Sequence, residues 1–540
     1  INMQKIFSLC LALLLGISAA RADEGMWLLK LMEQQHLADS LRKAGLQLPA
    51  SALYNEEGTS LRECIGIFGN GCTGELVSAD GLVLTNNHCG FSYVHAMSTM
   101  DHNYLQDGYF AKSREEELPT PNLAFTFVRR ITDVTAEVEA AAAKVKADAY
   151  TAMSQSFLEP LAEAMLKKSE FKKMKGMTAR IVPFFGANKY FLFLEQQYTD
   201  VRLVVNAPLN IAQFGGNTDN WMWPRHNADF ALFRIYADKN GQPADYNKNN
   251  QPLHVKQFLP IRLGGFDKGD YTMVMGFPGS TRRYLTASEV TMRTEKQNLP
   301  FVLVGNPHLE FLKQQMDAND SIRLQLQDDY MSLGNVVKNY GGMNEAVRKI
   351  DLVGEKRQEE AAFRQFAAQS GKPEYQNIIE RIDTLCQTSG DLLFNASLLY
   401  NTIEQQSLYV PLNNIDAMVE ALRSGKASKI SEAKEQLLAA YDQSAGHLDI
   451  RIDRQRMQLL LPLLFKYKKE GPMPAFVTTL AECQAYYDNM YDNSVFTTRE
   501  RLEAALAAPN AADLLENDPM TKHWQDYSTY ASANYMNRLE

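Results

Sequence analysis

The stretch FGNGCTGELVSADGLVLTNNHCG, residues 68–90, decides the fold. It reads as a strand, a tight turn, a second strand and then a histidine, His88, between Asn87 and Cys89. Asp80-Gly81 is a hairpin turn signal set between the segments ELVS and LVLT. Cys72 and Cys89 flank the hairpin, which makes them disulfide candidates. A lone histidine beside a cysteine is ordinarily a satisfied polar group, so His88 takes its meaning from the rest of the chain.

Working outward, LAFTFVRRITDV (123–134), ARIVPFF, KYFLFLEQQ, VRLVVNA and DFALFRIYA (229–237) read as further strands. Residues 134–176 are rich in Ala, Glu and Lys and predict one long helix or two shorter ones inserted in the β region. FLPIRLGG and DYTMVMGFPG open what reads as another β unit. From about residue 282 the pattern is helical, and ISEAKEQLLAAY puts Ile430, Ala433, Leu437, Leu438 and Tyr441 on one stripe. Near the start, GMWLLKLMEQQHLADSLRKAG is a helix candidate with Gly45 as its stop.

A chain of 540 residues is too long for one core and predicts two or three domains. Hydrophobic residues at 45% and charged residues at 22% indicate a globular chain, and a formal net charge of −9 argues against a general nucleic-acid binder. A start at Met3 gives Lys5, an apolar run from Ile6 to Ile17, and the small-x-small triplet Ala20-Arg21-Ala22. That pattern predicts a secretory signal peptide over 1–22, cleaved before Asp23. No later run is apolar enough to suggest a membrane span, so an exported protein is expected. Cys10 leaves with the signal peptide, and Cys64, Cys72, Cys89, Cys386 and Cys483 remain, an odd number that leaves at least one thiol free or paired outside the chain.

Asp229 opens the apolar segment DFALFRIYA. A buried carboxylate there could accept the Nδ1 proton of a histidine, fix its tautomer and stabilise the imidazolium; alone, it reads equally as a strand cap. The segment FGGNTDNWMWPRHNADF (214–230) collects Asn217, Asp219, Asn220, Trp221, Trp223, Arg225 and His226. Two tryptophans in a Gly- and Asn-rich loop fit a site wall better than a core. There is no H-E-x-x-H, no G-x-x-x-x-G-K-[ST] and no paired C-x-x-C, so no metal and no cofactor are expected.

The hairpin and histidine are similar to those of trypsin-like serine peptidases, in which cysteines stand where Cys72 and Cys89 do, and the TNNH run resembles the periplasmic Deg/HtrA proteases. Taken together, GNGCTGELVSADGLVLTNNHCG, FGGNTDNWMWPRHNADFALFRIY and MGFPGSTRRY resemble the dipeptidyl-peptidase 7 / dipeptidyl-peptidase 11 family of bacterial serine exopeptidases. The resemblance runs over essentially the whole mature chain. It implies a chymotrypsin-like double β-barrel with a large inserted α-helical domain that caps the cleft. The implied division is a peptidase domain over 23–281, with the helical insert near 134–176, and an α-helical cap over 282–540, the second barrel being incomplete in this chain. It makes His88 the general base and Asp229 its orienting partner. Asn220 and Trp221 correspond to residues that grip the α-amino group and first residue of the substrate, and Asn335, in GNVVKN (334–339), to the other α-amino ligand. Neutral amide oxygens suit that task, since they accept hydrogen bonds from an ammonium without a full counter-charge. The family commonly has NHHC where this chain has Asn86-Asn87-His88-Cys89; His88, beside the cysteine, keeps the role. Oligopeptides with a free N-terminus, a homodimer, and the periplasm or outer surface of a Gram-negative bacterium are implied as well. Members differ in taking hydrophobic or acidic second residues, and SREEELP (113–119) resembles the acidic-preferring branch.

The serine nucleophile of such enzymes sits in a G-N-S-G or G-D-S-G turn, whose backbone N–H groups form the oxyanion hole. Ser280, Ser370, Ser389, Ser424 and Ser444 are the nearest candidates, and none has the G-x-S-G frame. The nucleophile is therefore expected beyond Glu540 in a longer reading frame, and these 540 residues alone are expected to be inactive. A Deg/HtrA-like endopeptidase and a non-catalytic peptide-binding relative are the alternatives.

Overall fold

The hairpin forms around Gly81, whose φ of +65° is the left-handed conformation that glycine adopts without strain. A Cβ there would sit 2.9 Å from the Leu253 carbonyl oxygen, so both backbone and space require glycine. The computed structural model describes residues 27–32, 37–56, 58–444, 449–476 and 479–539; the signal-peptide reading over 1–22 lies outside them. β2 (Cys72–Leu76) and β3 (Leu82–Thr85) pair antiparallel across the turn, and β1 (Ile65–Phe68) pairs with β2 on the other side.

The other strands are β4 (Tyr109–Phe110), β5 (Leu118–Pro119), β6 (Phe125–Asp133), β7 (Met177–Phe184), β8 (Lys189–Tyr198), β9 (Val201–Asn206), β10 (Ala231–Ala237) and β11 (Gln251–Pro252). All belong to one sheet in the order β4-β9-β10-β3-β2-β1-β6-β8-β7, with β5 on β9 and β11 on β10. Its two ends are not joined among the described residues. Phe68, Phe125 and Phe233 are fully buried, with the Phe68 and Phe233 rings 4.8 Å apart. Burying each such side chain stabilises the fold by roughly 1.5–3 kcal/mol.

The Ala- and Lys-rich insert is broken into three helices, Thr135–Val145, Ala149–Met153 and Gln155–Lys168. The breaks are local chemistry: Lys146 closes the first helix in the left-handed region, the Asp148 carboxylate accepts from Thr151 N–H, and the Ser154 hydroxyl accepts from Phe157 N–H. Val138, Leu158 and Ala162 of these helices pack against Ile181, Tyr190 and Leu192 of the sheet. Of the helix expected near the start, the described residues form a short 3-10 turn, Leu29–Leu31, and an α-helix, Leu37–Lys43, and residues 33–36 lie outside them.

Among the described residues the anticipated second β unit has no strand beyond Pro252. Val255 N–H and Leu259 N–H still bond to the carbonyls of Ala79 and Leu76. Beyond that the apolar runs lie open, with Leu263 95% and Val274 98% exposed. A strand is stabilised by a partner that takes its N–H and C=O groups, and no described segment pairs with this one.

By contacts the chain divides into two units. One joins residues up to Tyr93 with Tyr109–Asn206 and Phe230–Pro278; the other joins Val94–Gly108, Ala207–Asp229 and Gly279–Glu540. The second is almost wholly helical. Its core includes Leu398, Leu437, Met457, Leu460 and Phe496. Ala433, Leu437 and Tyr441 of the predicted stripe are buried there, with Ile430 and Leu438 packed at the edge. Among the described residues no helix is long and apolar enough to cross a membrane.

Candidate active site

His88 is the second residue of the Asn87–Met97 helix and is exposed. Three anchors fix the start of that helix. Asn87, 1% exposed, donates from Nδ2 to Asn206 Oδ1 at the end of β9, 2.8 Å away. Cys89 forms a disulfide with Cys72, the first residue of β2. Gly90 lies against the Phe233 ring on β10, where a Cβ would come within 3.0 Å. The backbone carrying His88 is thus held to three strands while the imidazole remains accessible. This geometry suits a group that must meet an external substrate.

Asp229 is half-buried and stands two residues before β10, which begins at Ala231 rather than at Asp229 itself. Ala231 pairs with Thr85, the last residue of β3. The chain therefore reaches His88 three residues after, and Asp229 two residues before, the same end of the β3–β10 pair.

The other three predicted residues meet within the helical unit. Asn335 lies on the long Asp320–Lys349 helix, and Asn220 and Trp221 lie in the loop after the single turn Gly216–Asp219. Asn220 Nδ2 donates to Asn335 Oδ1 at 3.0 Å. Trp221 Nε1 donates to the same oxygen at 3.0 Å and to the Asn335 carbonyl at 3.1 Å. Trp221 and Trp223 are 57% and 93% exposed, so neither is a core residue.

Two neighbours on the helix hold this loop against it, and a third bond, from Arg225, lies within the loop itself. Gly334 lets it approach: a Cβ there would lie 2.9 Å from Asn217 Oδ1. Lys338, one turn after Asn335, donates from Nζ to the Asn217 carbonyl at 2.8 Å and also to the Thr218 carbonyl. Those carbonyls close a one-turn helix and have no intrahelical partner, so a cation is well placed there. Arg225 Nη1 donates to Asn220 Oδ1 at 3.1 Å. Lys338 and Arg225 stand inside motifs that the sequence marks, but no pattern assigned them a task. Among the described residues no group of three or more His, Cys, Asp or Glu could hold a metal ion.

The profile of one known family, peptidase S46, matches residues 22–538. Dipeptidyl-peptidase 7 of Phocaeicola vulgatus is 40% identical over 529 residues, which cover 96% of this chain and 73% of that protein. The Asp/Glu-specific dipeptidyl-peptidase of Porphyromonas gingivalis is 34% identical over 513 residues, 93% of this chain and 70% of that one. The crystal structure of Porphyromonas endodontalis DPP11 in complex with the dipeptide Arg-Glu superposes with a TM-score of 0.84 at 30% identity, covering 94% of this chain and 73% of that chain. The β-sheet core with a large helical part agrees with that structure, and the sheet, not closed among the described residues, is consistent with an incomplete second barrel. The chain belongs to peptidase family S46.

Proposed function

We propose that this chain carries the base and the amino-terminal recognition site of a serine dipeptidyl-peptidase, which releases dipeptides from oligopeptide N-termini through an acyl-enzyme. The observation that carries the reading is the Asn220–Trp221–Asn335 cluster, in which two amides and an indole from segments 115 positions apart converge beside exposed aromatic surface. In a relative bearing the same fold, the bound ligand is a dipeptide. Here Asn220 and Asn335 grip the α-amino group and Trp221 flanks the first residue.

In the chemical step His88 removes the proton of the attacking serine hydroxyl and returns it to the leaving amine, while Asp229 orients the imidazole and stabilises its protonated form. No serine of the 540 residues has the G-x-S-G frame, so none is assigned as nucleophile. Residues 23–281 serve as the peptidase domain and 282–540 as the helical domain. The relatives' bacterial sources and the sequence of residues 1–22 support export to the periplasm or outer surface of a Gram-negative cell, and the family resemblance supports a homodimer.

Calorimetry tests the recognition step without requiring turnover. A peptide with a free N-terminus should bind at least about tenfold more tightly than its N-acetyl form, since a hydrogen bond to a charged group contributes about 1.5–3 kcal/mol. Asn220→Ala should abolish the difference and Asn335→Ala should reduce it. Equal affinity for both peptides in the unmutated chain would refute the assignment and favour an endopeptidase or a general peptide binder.

A further inference from the structure

Two groups that can only donate fix the direction of every amide in the cluster. A guanidinium has N–H donors and no acceptor, and an indole N–H is likewise donor-only. Arg225 Nη1 lies 3.1 Å from the Asn220 side chain, so the amide atom facing it must be Oδ1. The other end, Nδ2, then faces Asn335, 3.0 Å away, and requires an oxygen there. Trp221 Nε1, 3.0 Å from the same atom, imposes the same orientation on Asn335.

This order has a consequence for a cation. Asn335 Oδ1 already accepts two hydrogen bonds from the protein, one for each lone pair. Asn220 Oδ1 accepts one. An ammonium needs acceptors, and the readier one is Asn220 Oδ1. It is held as an oxygen, rather than an –NH2 group, from both ends: Arg225 donates to it, and Nδ2 is engaged by Asn335 Oδ1.

We infer that Arg225 is a positioning residue for recognition of the peptide α-amino group. Its guanidinium locks the Asn220 amide with the oxygen available to an ammonium. The role rests on the proposed assignment of Asn220 and Asn335 to that group. Without Arg225 the orientation rests on the Asn220 Nδ2–Asn335 Oδ1 bond alone; a turnover that gives up that bond, Trp221 Nε1 keeping its bond to the Asn335 carbonyl, would present N–H donors to a cation. The guanidinium charge itself opposes a second cation nearby. The two effects of removing it have opposite signs: a freed amide weakens binding, and lost repulsion tightens it.

The test uses the full chain with Arg225→Met and Arg225→Lys, and calorimetry with Arg-Glu and Gly-Phe and with the N-acetyl form of each. Arg225→Met should weaken the free-amine dipeptides about ten- to a hundredfold, the value of a hydrogen bond to a charged group, and leave the N-acetyl forms unchanged. Arg225→Lys, which restores a donor, should recover part of the loss. Equal weakening of free and acetylated dipeptides would reduce Arg225 to a structural role, and tighter binding would show that repulsion dominates; either overturns the inference. If the unmutated chain does not distinguish free from acetylated dipeptides, the assignment of the cluster fails and the inference falls with it. If it does distinguish them and Arg225→Met does so to the same degree, the inference alone fails. A second readout needs no ligand. With selectively labelled asparagine, hydrogen exchange at Asn220 Nδ2 should be slowed in the unmutated chain and fast in Arg225→Met, and unchanged exchange overturns the inference.

Discussion

Replacing both Cys72 and Cys89 by alanine should lower the stability of the β-rich unit by about 3 kcal/mol. The two cysteines are 17 positions apart, and closing a loop of that length removes about that much conformational entropy from the unfolded chain at 25 °C. Both cysteines are only half-buried, so the lost sulfurs leave little cavity and the entropy term dominates. For a unit of this size the loss corresponds to a midpoint lower by about 6–12 °C. A molecule of two units does not unfold as one two-state system, so a global melting curve is the wrong assay. Hydrogen exchange under increasing denaturant reads the units separately. Protection of β1, β2 and β3 and of the first turn carrying His88 should fall, and that of the buried helices around Leu437 and Leu460 should not. Reducing the bridge in the unmutated chain should reproduce the effect. A loss below about 1 kcal/mol, or an equal loss in the helical unit, would refute the loop-entropy argument.

Lys338→Met keeps the apolar stem and removes the donor to the Asn217 and Thr218 carbonyls. The site is only partly buried, so we expect a loss of about 1–2 kcal/mol, read as roughly five- to thirtyfold weaker binding of a free-amine dipeptide with no change in protection along the Asp320–Lys349 helix; unchanged affinity would show that Gly334 and Asn335 hold the loop alone. The helical unit should also lose stability in mild acid. Burial pushes His523, set between the Tyr409 and Tyr486 hydroxyls, down to about 3. Burial, aided by the Arg456 charge, does the same to His308. Between about pH 6.5 and 3 the unfolded chain binds protons that the folded one does not. Stability is therefore full above about pH 6.5 and falls as pH drops, by up to roughly 1.4 kcal/mol per pH unit for each histidine. Urea midpoints at pH 7 and pH 5 measure the slope, His523→Gln should remove about half of it, and a flat profile would contradict the burial of both rings.

The hairpin was legible because its information is local: a turn dipeptide, two apolar segments and a histidine all lie within residues 68–90. The breaks in the insert were local too, but a single carboxylate at Asp148 and a hydroxyl at Ser154 were outweighed by the helical propensity around them. The runs after Pro252 failed for the opposite reason. Leu263 and Val274 carry strand propensity, yet a strand is made by its neighbour, and propensity does not supply one.

The Asn220–Trp221–Asn335 cluster was legible only as pieces. Nothing in the spacing of Asn220 and Asn335, 115 positions apart, says that they touch; family resemblance named both, and the hydrogen bonds join them. Arg225 and Lys338 were in plain view inside the same motifs, but an arginine in a polar loop has many ordinary uses. Its role comes from a directional fact that sequence does not encode: a donor-only group 3.1 Å from one end of an amide decides which atom the other partners meet. The same logic extends along the cluster. Because Asn335 Oδ1 is already doubly engaged, an incoming ammonium can use it only by displacing Asn220 Nδ2 or Trp221 Nε1. On the proposed assignment, recognition by both asparagines entails a rearrangement, and Trp221, whose indole can still bond the Asn335 carbonyl, is the partner that yields at less cost.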